Sequence, residues 1–393
     1  MVRIAIFAVL AQLVVSSVAC GSHPKKHGKV SAYVTDWDLP TNISYDKLDH
    51  LLYSFAVPDK TGALGQFSVT QLQGVVKDAH AHGKAVSLAV GGWTGSLYFS
   101  SLVQTASSRD AWTDVLVKAV QDYDLDGLNL DWEYPNNPNG VACNTINAHD
   151  TANFLSFVQL LRKKLKANFK SAKLITAAVS TSPFNDASGN PSSRLPGWAA
   201  AMDYFYIMAY DIAGNWKTDT SSNSPLYSTK YDDSSDSAAI AAWSKAGIPK
   251  DQLVLGVPFY GFTIDTQVPI TAKTGQSVPM NTNAIQGDQY DTKSADPCPG
   301  AVATYSGEMQ WRTIKELGIL QNKNGWKSYW SSANKTPYAF KASNSQFVTF
   351  DDPQSLTLKA QYAKKQNLGG IMMWSLEMDD AEHSLLNALQ AIY

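Results

Sequence analysis

Asn129, Asp131 and Glu133 occupy alternate positions of the segment Asp126-Gly127-Leu128-Asn129-Leu130-Asp131-Trp132-Glu133-Tyr134-Pro135, with apolar Leu128, Leu130 and Trp132 between them. A strand sends alternate side chains to opposite faces, so the polar trio shares one face and a carboxyl group ends it. Two carboxyls and an amide gathered on one face are costly to desolvate unless they serve one another or a ligand. The other reading, a solvated edge strand, fits poorly with the apolar opposite face. Placed at a strand's end, Glu133 suits a proton donor to a leaving oxygen.

Cleavage of a glycosidic bond ordinarily needs two carboxyls on opposite sides of that bond. Asp131 and Glu133 climb the same face and cannot flank a sugar, and no second carboxylate is obviously placed as the nucleophile. A substrate carrying its own nucleophile resolves this. The acetamido oxygen of an N-acetylglucosamine unit can attack the anomeric carbon, giving an oxazolinium ion and net retention. Asp131 would then orient the acetamido N–H and stabilise the positive ring, and Tyr210 would donate its hydroxyl to the acetamido oxygen.

Such residues need a scaffold. Short β-rich apolar runs recur over 30–35, 51–57, 85–90, 127–132, 174–179, 204–210, 253–260 and 369–374. Between them the spacing predicts helices: one capped by Ser68 and stopped at Gly83, others over 111–123, 150–169 and 237–246, the last ended by Gly247 and Pro249. Helices over 353–366 and 381–392 flank the final strand. Eight strands alternating with helices predict an α/β fold, a (β/α)8 TIM barrel. Such barrels carry their sites at the carboxyl ends of the strands. Trp37, Gly91-Gly92-Trp93, Asp131 to Tyr134, Met208 to Asp211, Tyr260 and Trp374-Ser375 all fall at such ends, which predicts one cleft. Alone, Trp374 reads as a core residue; beside the others it becomes a cleft floor. Residues 263–346 show no single period and predict a small α+β insertion between strands seven and eight, since a structureless loop of that length is rare. The expected layout is a barrel over 28–262, the insertion over 263–346, and the last strand and helices over 347–393.

Composition narrows the partners. The chain has 393 residues, is 44% hydrophobic and 17% charged, and carries a formal net charge of -2. Neither a nucleic-acid footprint nor an acidic tail is indicated. Eleven Trp and eighteen Tyr exceed the needs of a core and suit stacking on flat, uncharged ligand faces. Residues 1–19 read as a secretory signal peptide: Arg3, an apolar stretch over 4–15, and the small-residue cleavage site Ser17-Val18-Ala19. The stretch is too short for a membrane span and no second one follows, so a secreted, extracellular, soluble monomer is expected. Cys20 weakly resembles a lipid attachment site. In an oxidising compartment Cys143 and Cys298 can pair, tying two long loops together, with Cys20 left over or competing; the sequence does not fix the pairing. Asn42-Ile43-Ser44 and Asn334-Lys335-Thr336 are glycosylation triplets that fit a secreted surface.

The segment 126–135 resembles the signature of the family 18 glycoside hydrolases, the chitinases, written Asp-Gly-x-Asp-x-Asp-x-Glu. Met208-Ala209-Tyr210-Asp211 is similar to their Met-x-Tyr-Asp motif, and Val90-Gly91-Gly92-Trp93 to most of their Ser-x-Gly-Gly segment. Leu255-Gly256-Val257-Pro258-Phe259-Tyr260-Gly261 resembles their seventh strand and Gly369-Gly370-Ile371-Met372-Met373-Trp374-Ser375 their last. The resemblance runs from about residue 30 to the C-terminus, and the insertion is similar to that of the deep-cleft chitinases. It implies a secreted endo-acting chitinase, cutting β-1,4 bonds of chitin and chito-oligosaccharides without a cofactor or metal. Glu133 would be the general acid and later the base for water, and Asp131 the oxazolinium stabiliser. Tyr210 and Asp211 would hold the reacting sugar, Trp374 would form its floor, Tyr134 would help fix the acetamido group, and Trp93 would stack on a neighbouring sugar. Met208 and Tyr260 complete the substrate-binding set.

Two positions depart from the family pattern. Asn129 stands where Asp is usual, and Ala89 where Ser is usual. Asn129 is expected to donate a hydrogen bond to Asp131 without sharing a proton, leaving Asp131 ionised and raising the Glu133 pKa by like-charge proximity. Two rivals stand beside the chitinase: an enzyme of the same mechanism acting on the chitobiose core of N-glycans, and a chitin-binding lectin that has lost catalysis. Other chemistries lack support. There is no His-Glu-x-x-His, no Gly-x-Ser-x-Gly elbow and no phosphate-cradling glycine loop, and His149-Asp150 reads as the start of a helix.

Overall fold

The computed structural model describes residues 28–230 and 232–393. The signal-like segment 1–19 and Cys20 lie outside the described residues. Eight parallel strands form the barrel: Lys29–Thr35, His50–Pro58, Ala85–Gly91, Gly127–Asp131, Leu174–Val179, Tyr204–Ile207, Leu253–Pro258 and Gly370–Trp374. Each pairs with its neighbour in chain order, and the first closes the ring on both the second and the eighth. Helices Val69–Ala81, Ala106–Asp122, Asp150–Asn168, Asp236–Lys245 and Pro353–Gln366 lie in the connections. Strands so enclosed are buried on both faces, which is why they read as continuous apolar runs. Among the described residues, no helix is long and apolar enough to cross a membrane.

Local signals set the helix limits. Ser68 accepts a hydrogen bond from the Gln71 N–H, and Asp352 and Ser355 form a reciprocal capping box around Pro353. The helix expected over 111–123 begins earlier, at Ala106, because Thr105 and Ser108 form such a box there. The strand expected over 204–210 ends at Ile207, and Asp211 turns into the left-handed region with φ 57°.

The run over 253–260 divides. Strand seven ends at Pro258, and Tyr260–Asp265 opens a second, antiparallel sheet of five strands. Its other strands are Glu308–Gln310, Trp326–Ser331, Thr336–Lys341 and Gln346–Thr349. Tyr260 is thus a residue of the insertion and not of the barrel. The expected limits at 263 and 346 both fall inside strands, because apolar strand residues continue across the junction without a turn signal. Of the Trp residues, 112, 132, 198, 243, 311 and 326 are buried, many of them in one aromatic cluster outside the barrel wall, where Trp132 packs against Phe99 and Phe154.

The barrel interior is a polar column. At its lower end buried His50 lies between the Tyr206 hydroxyl at 2.9 Å and Ser87 Oγ at 2.8 Å, and burial pushes its pKa down to about 3. Above it, the Tyr33 hydroxyl crosses from strand one to Asn129 on strand four. Asp131 comes next on the same face, and Glu133 follows just past the strand end.

Candidate active site

Strand four supplies the carboxyls and its neighbours hold them in place. Asp131 is 3% exposed and Glu133 8%. Gly91 pairs beside Asp131, and the Gly92 N–H donates to the Asp131 carbonyl at 2.9 Å. Gly91 has φ 109°, and a Cβ there would lie 2.2 Å from that carbonyl oxygen, so only glycine permits this approach. Ser96 Oγ accepts from the Glu133 N–H at 3.0 Å and donates to the Gly92 carbonyl at 2.8 Å. The Asn144 side-chain amide donates to the Glu133 carbonyl at 2.8 Å. The peptide carrying Glu133 is therefore braced from both sides, by residues with no motif to mark them.

Asn129 does not serve Asp131. Its amide nitrogen donates to Thr176 Oγ1 at 2.9 Å, and its oxygen accepts from the Tyr33 hydroxyl at 2.7 Å. Ala89 is its register partner on strand three and offers no polar atom. Asp131 Oδ1 is left buried without a hydrogen-bond partner. The expected bond from Asn129 to Asp131 is thus corrected: Thr176 on the adjacent strand five and Tyr33 from strand one across the barrel take the amide.

The electrostatic expectation changes too. Burial, above all, raises the Glu133 pKa to about 7; the Tyr134 hydroxyl hydrogen-bonded to it pulls the other way, and the neighbouring charge that adds to the rise is that of Asp211. Burial first, then the charge of Glu133, pushes the Asp131 carboxyl well above its ordinary pKa, which runs against the ionised Asp131 expected from Asn129. Two carboxyls confined in one dry site both shift upward because separate charges there are costly.

The remaining residues close a groove of about 870 Å³ around these groups. Glu133, Asp131, Tyr134, Met208, Tyr210, Asp211, Trp93, Tyr260 and Trp374 all line it, whereas Asn129 lies beneath. The Tyr260 hydroxyl donates to Asp211 Oδ1 at 2.5 Å, while desolvation by the groove walls raises Asp211 to about 6. Trp374 is half-buried against Phe55, ring centroids 5.5 Å apart and near-parallel at 22°, and against Tyr33 edge-on at 5.1 Å. Trp37, Trp93 and Trp216 stand exposed at 64%, 42% and 54%. Arranged after strands one, three and six, these flat faces can hold a ligand longer than one ring.

Several lining residues carried no sequence signal. Glu308 belongs to the insertion; burial and then the charges of Asp211, Asp288, Asp291 and Glu377 raise it to about 8. Tyr33 and Phe55 enter from strands one and two. The alternation of Ser31 and Tyr33 on strand one was a usable hint, but nothing near Glu308 placed it at the barrel mouth. Cys143 and Cys298 form a disulfide. Asp150 is fully buried and accepts from Ser100 Oγ and from the Asn136 and Asn147 N–H groups, ordering the loop that carries Cys143.

Comparison with known proteins adds independent findings. The model of the glycosyl hydrolases family 18 matches residues 29–379. A chitinase-like effector of Moniliophthora roreri is 34% identical over 371 residues, covering 88% of this chain and 89% of its own. The crystal structure of a chitinase from Rhizomucor miehei superposes with a TM-score of 0.90 at 54% identity, over 93% of this chain and 99% of that one. A Group II chitinase catalytic domain of Ostrinia furnacalis, solved in complex with penta-N-acetylchitooctaose, has a TM-score of 0.76 at 27% identity, over 93% of this chain and 96% of its own.

Proposed function

The chain belongs to the glycosyl hydrolases of family 18, and on that premise we propose that this chitinase cleaves β-1,4 bonds between N-acetylglucosamine units with retention, the substrate supplying the nucleophile. The observation that carries the reading is the buried, unpartnered Oδ1 of Asp131 beside a carboxyl kept protonated near neutral pH. A buried acceptor without a donor costs about 1–3 kcal/mol and calls for one from the ligand. An acetamido N–H supplies it, turning the acetamido oxygen toward the anomeric carbon.

In the first step that oxygen forms a bond to the anomeric carbon while the bond to the leaving oxygen breaks and Glu133 gives the leaving oxygen its proton. Glu133, now a carboxylate, next removes a proton from water. The water oxygen bonds to the anomeric carbon, and the oxazolinium ring opens to restore the acetamido group. Asp131 and Tyr210 hold the acetamido group, Asp211 and Tyr260 the sugar hydroxyls, and Trp374 the ring's apolar face. Glu308 does not suit the part of an anionic nucleophile, since burial and neighbouring charges push it up to about 8. The exposed tryptophans favour binding of several sugars and cleavage within chains. The same reading places the enzyme outside the cell as a monomer, supported by the signal-like N-terminus and a disulfide of the kind oxidising compartments sustain.

The test is the anomeric form of the product first released from a defined chito-hexamer, followed by NMR. The β-anomer is expected; initial α-anomer would sink substrate-assisted retention. The similarity to a chitinase-like effector keeps the lectin reading in play. Turnover by wild type no faster than by Glu133→Gln, with hexamer binding intact, would favour it.

A further inference from the structure

The insertion leaves the barrel after strand seven, yet its arm over 282–307 meets loops that follow strands three and four. The Trp93 indole N–H donates to Asp296 Oδ1 at 2.9 Å, and Cys298 is bonded to Cys143. In an eight-stranded ring closed in chain order, strand three lies opposite strand seven and strand four opposite strand eight. A segment rooted at strand seven and fastened at strands three and four therefore links opposite sides of the barrel mouth. The groove opens at that mouth, lined by Trp93 on the far side and by Ser306 and Glu308 near the arm's root.

The arm is not slack. Asp291 accepts from the Gly287 and Gly307 N–H groups at 2.8 and 2.9 Å, and Asp288 accepts from the Gln310 N–H at 2.8 Å. Ser294 and Thr304 pair as an antiparallel bridge nearer the tip. With base and shaft thus closed, the tip meets the far wall among the described residues through two exposed hydrogen bonds, from the Trp93 indole N–H and from the Cys143 N–H to Cys298 Sγ at 3.1 Å, and through one covalent bond. The hydrogen bonds alone would open readily in water. The covalent bond does not.

We propose that the Cys143–Cys298 crosslink makes this arm a closed strap across the groove, so that a chitin chain is admitted by threading a free end and not from the side. The inference rests on the chitin-cleaving reading above and adds how the polymer reaches the site. Cleavage within a chain then happens only on chains already threaded. The crosslink is a determinant of substrate form and takes no part in the bond-breaking step, since neither cysteine lines the groove among the described residues.

The experiment compares two chito-octamers, one with free ends and one carrying bulky groups at both ends, cut by the full-length oxidised protein. The free octamer is expected to be cleaved at least about tenfold faster, as for a site whose covering segment must be passed before reaction. In the double variant C143S/C298S, and in wild type treated with a phosphine reductant, that ratio should fall toward one while the free octamer is still cut. Equal rates on both octamers by the oxidised wild type would overturn the strap. So would a ratio that neither reduction nor the double variant changes. The reduced wild type keeps the test decisive if the double variant fails to fold. Absence of turnover of a free chito-hexamer by oxidised wild type would instead overturn the chitinase reading beneath it.

Discussion

Glu133 must be protonated to act, and burial keeps it so up to about pH 7. The sign follows directly: as pH rises through that value the general acid loses its proton, so kcat/KM on chito-oligomers should fall on an alkaline limb centred near 7. A limb near the ordinary carboxylate value of 4.5 would show that the carboxyl is not desolvated in solution. Glu133→Gln should lower kcat by about 10²–10⁴-fold with hexamer binding retained, measured by initial rates and calorimetry. Asn129 enters differently than its place in the motif suggests. It spans Tyr33 and Thr176 directly beneath Asp131, so Asn129→Asp adds a carboxyl to the same face. That charge should raise the proton affinity above it and move the alkaline limb upward; an unmoved pH–rate profile would exclude Asn129 from the site's electrostatics.

At the scale of elements, the turn after strand three matters as much as strand four. Gly91 and Ser96 do not line the groove among the described residues; they fix the peptides of Asp131 and Glu133. Ser96→Ala leaves the Glu133 N–H without its acceptor, at a cost of about 1–3 kcal/mol. Its expected mark is a kcat reduced about tenfold or more with KM little changed, which a loss of global stability alone would not produce. Gly91→Ala is harsher, since the new Cβ meets the Asp131 carbonyl at 2.2 Å. It should lower both Tm and activity, and a variant with wild-type Tm would show that the two strands do not approach so closely. The strands and most helices were legible because each has a period and a stop signal of its own. The limits of the insertion were not, because Tyr260–Asp265 continues the apolar run of strand seven and only pairing across the second sheet separates them.

For the molecule as a whole, desolvated carboxyls tie stability to pH. Buried Glu133 and Asp379 and half-buried Glu308 are raised from 3.8 or 4.5 to about 7, about 7 and about 8, in each case chiefly by loss of water around the carboxyl. The folded chain therefore holds more protons than the unfolded one between those limits. Their stabilisation is full below the ordinary values and is lost as pH rises through the folded ones. Tm should accordingly decline from pH 5 to pH 8 in calorimetry, and Glu308→Gln should flatten the upper part of that decline. A Tm that rises over this interval would show these groups to be solvated. Burial also corrects one surface expectation: Asn42 is exposed, but Asn334 is 4% exposed and its amide donates to the Tyr227 carbonyl, so its triplet does not offer a free acceptor.

What residue order alone determined is what depends on near neighbours. The alternation of strand four put Asn129, Asp131 and Glu133 on one face, and the spacing of apolar runs placed aromatic and acidic residues at six of the eight strand ends. Tertiary structure decided what depends on residues far along the chain. It chose Tyr33 and Thr176 as the partners of Asn129, made desolvation the main cause of the Glu133 shift, brought Glu308 into the groove, and joined Cys143 to Cys298 across 155 positions. Backbone periodicity is a local property and can be read in a window of a few residues. Desolvation and the competition for hydrogen bonds exist only once distant segments have closed around the same few atoms.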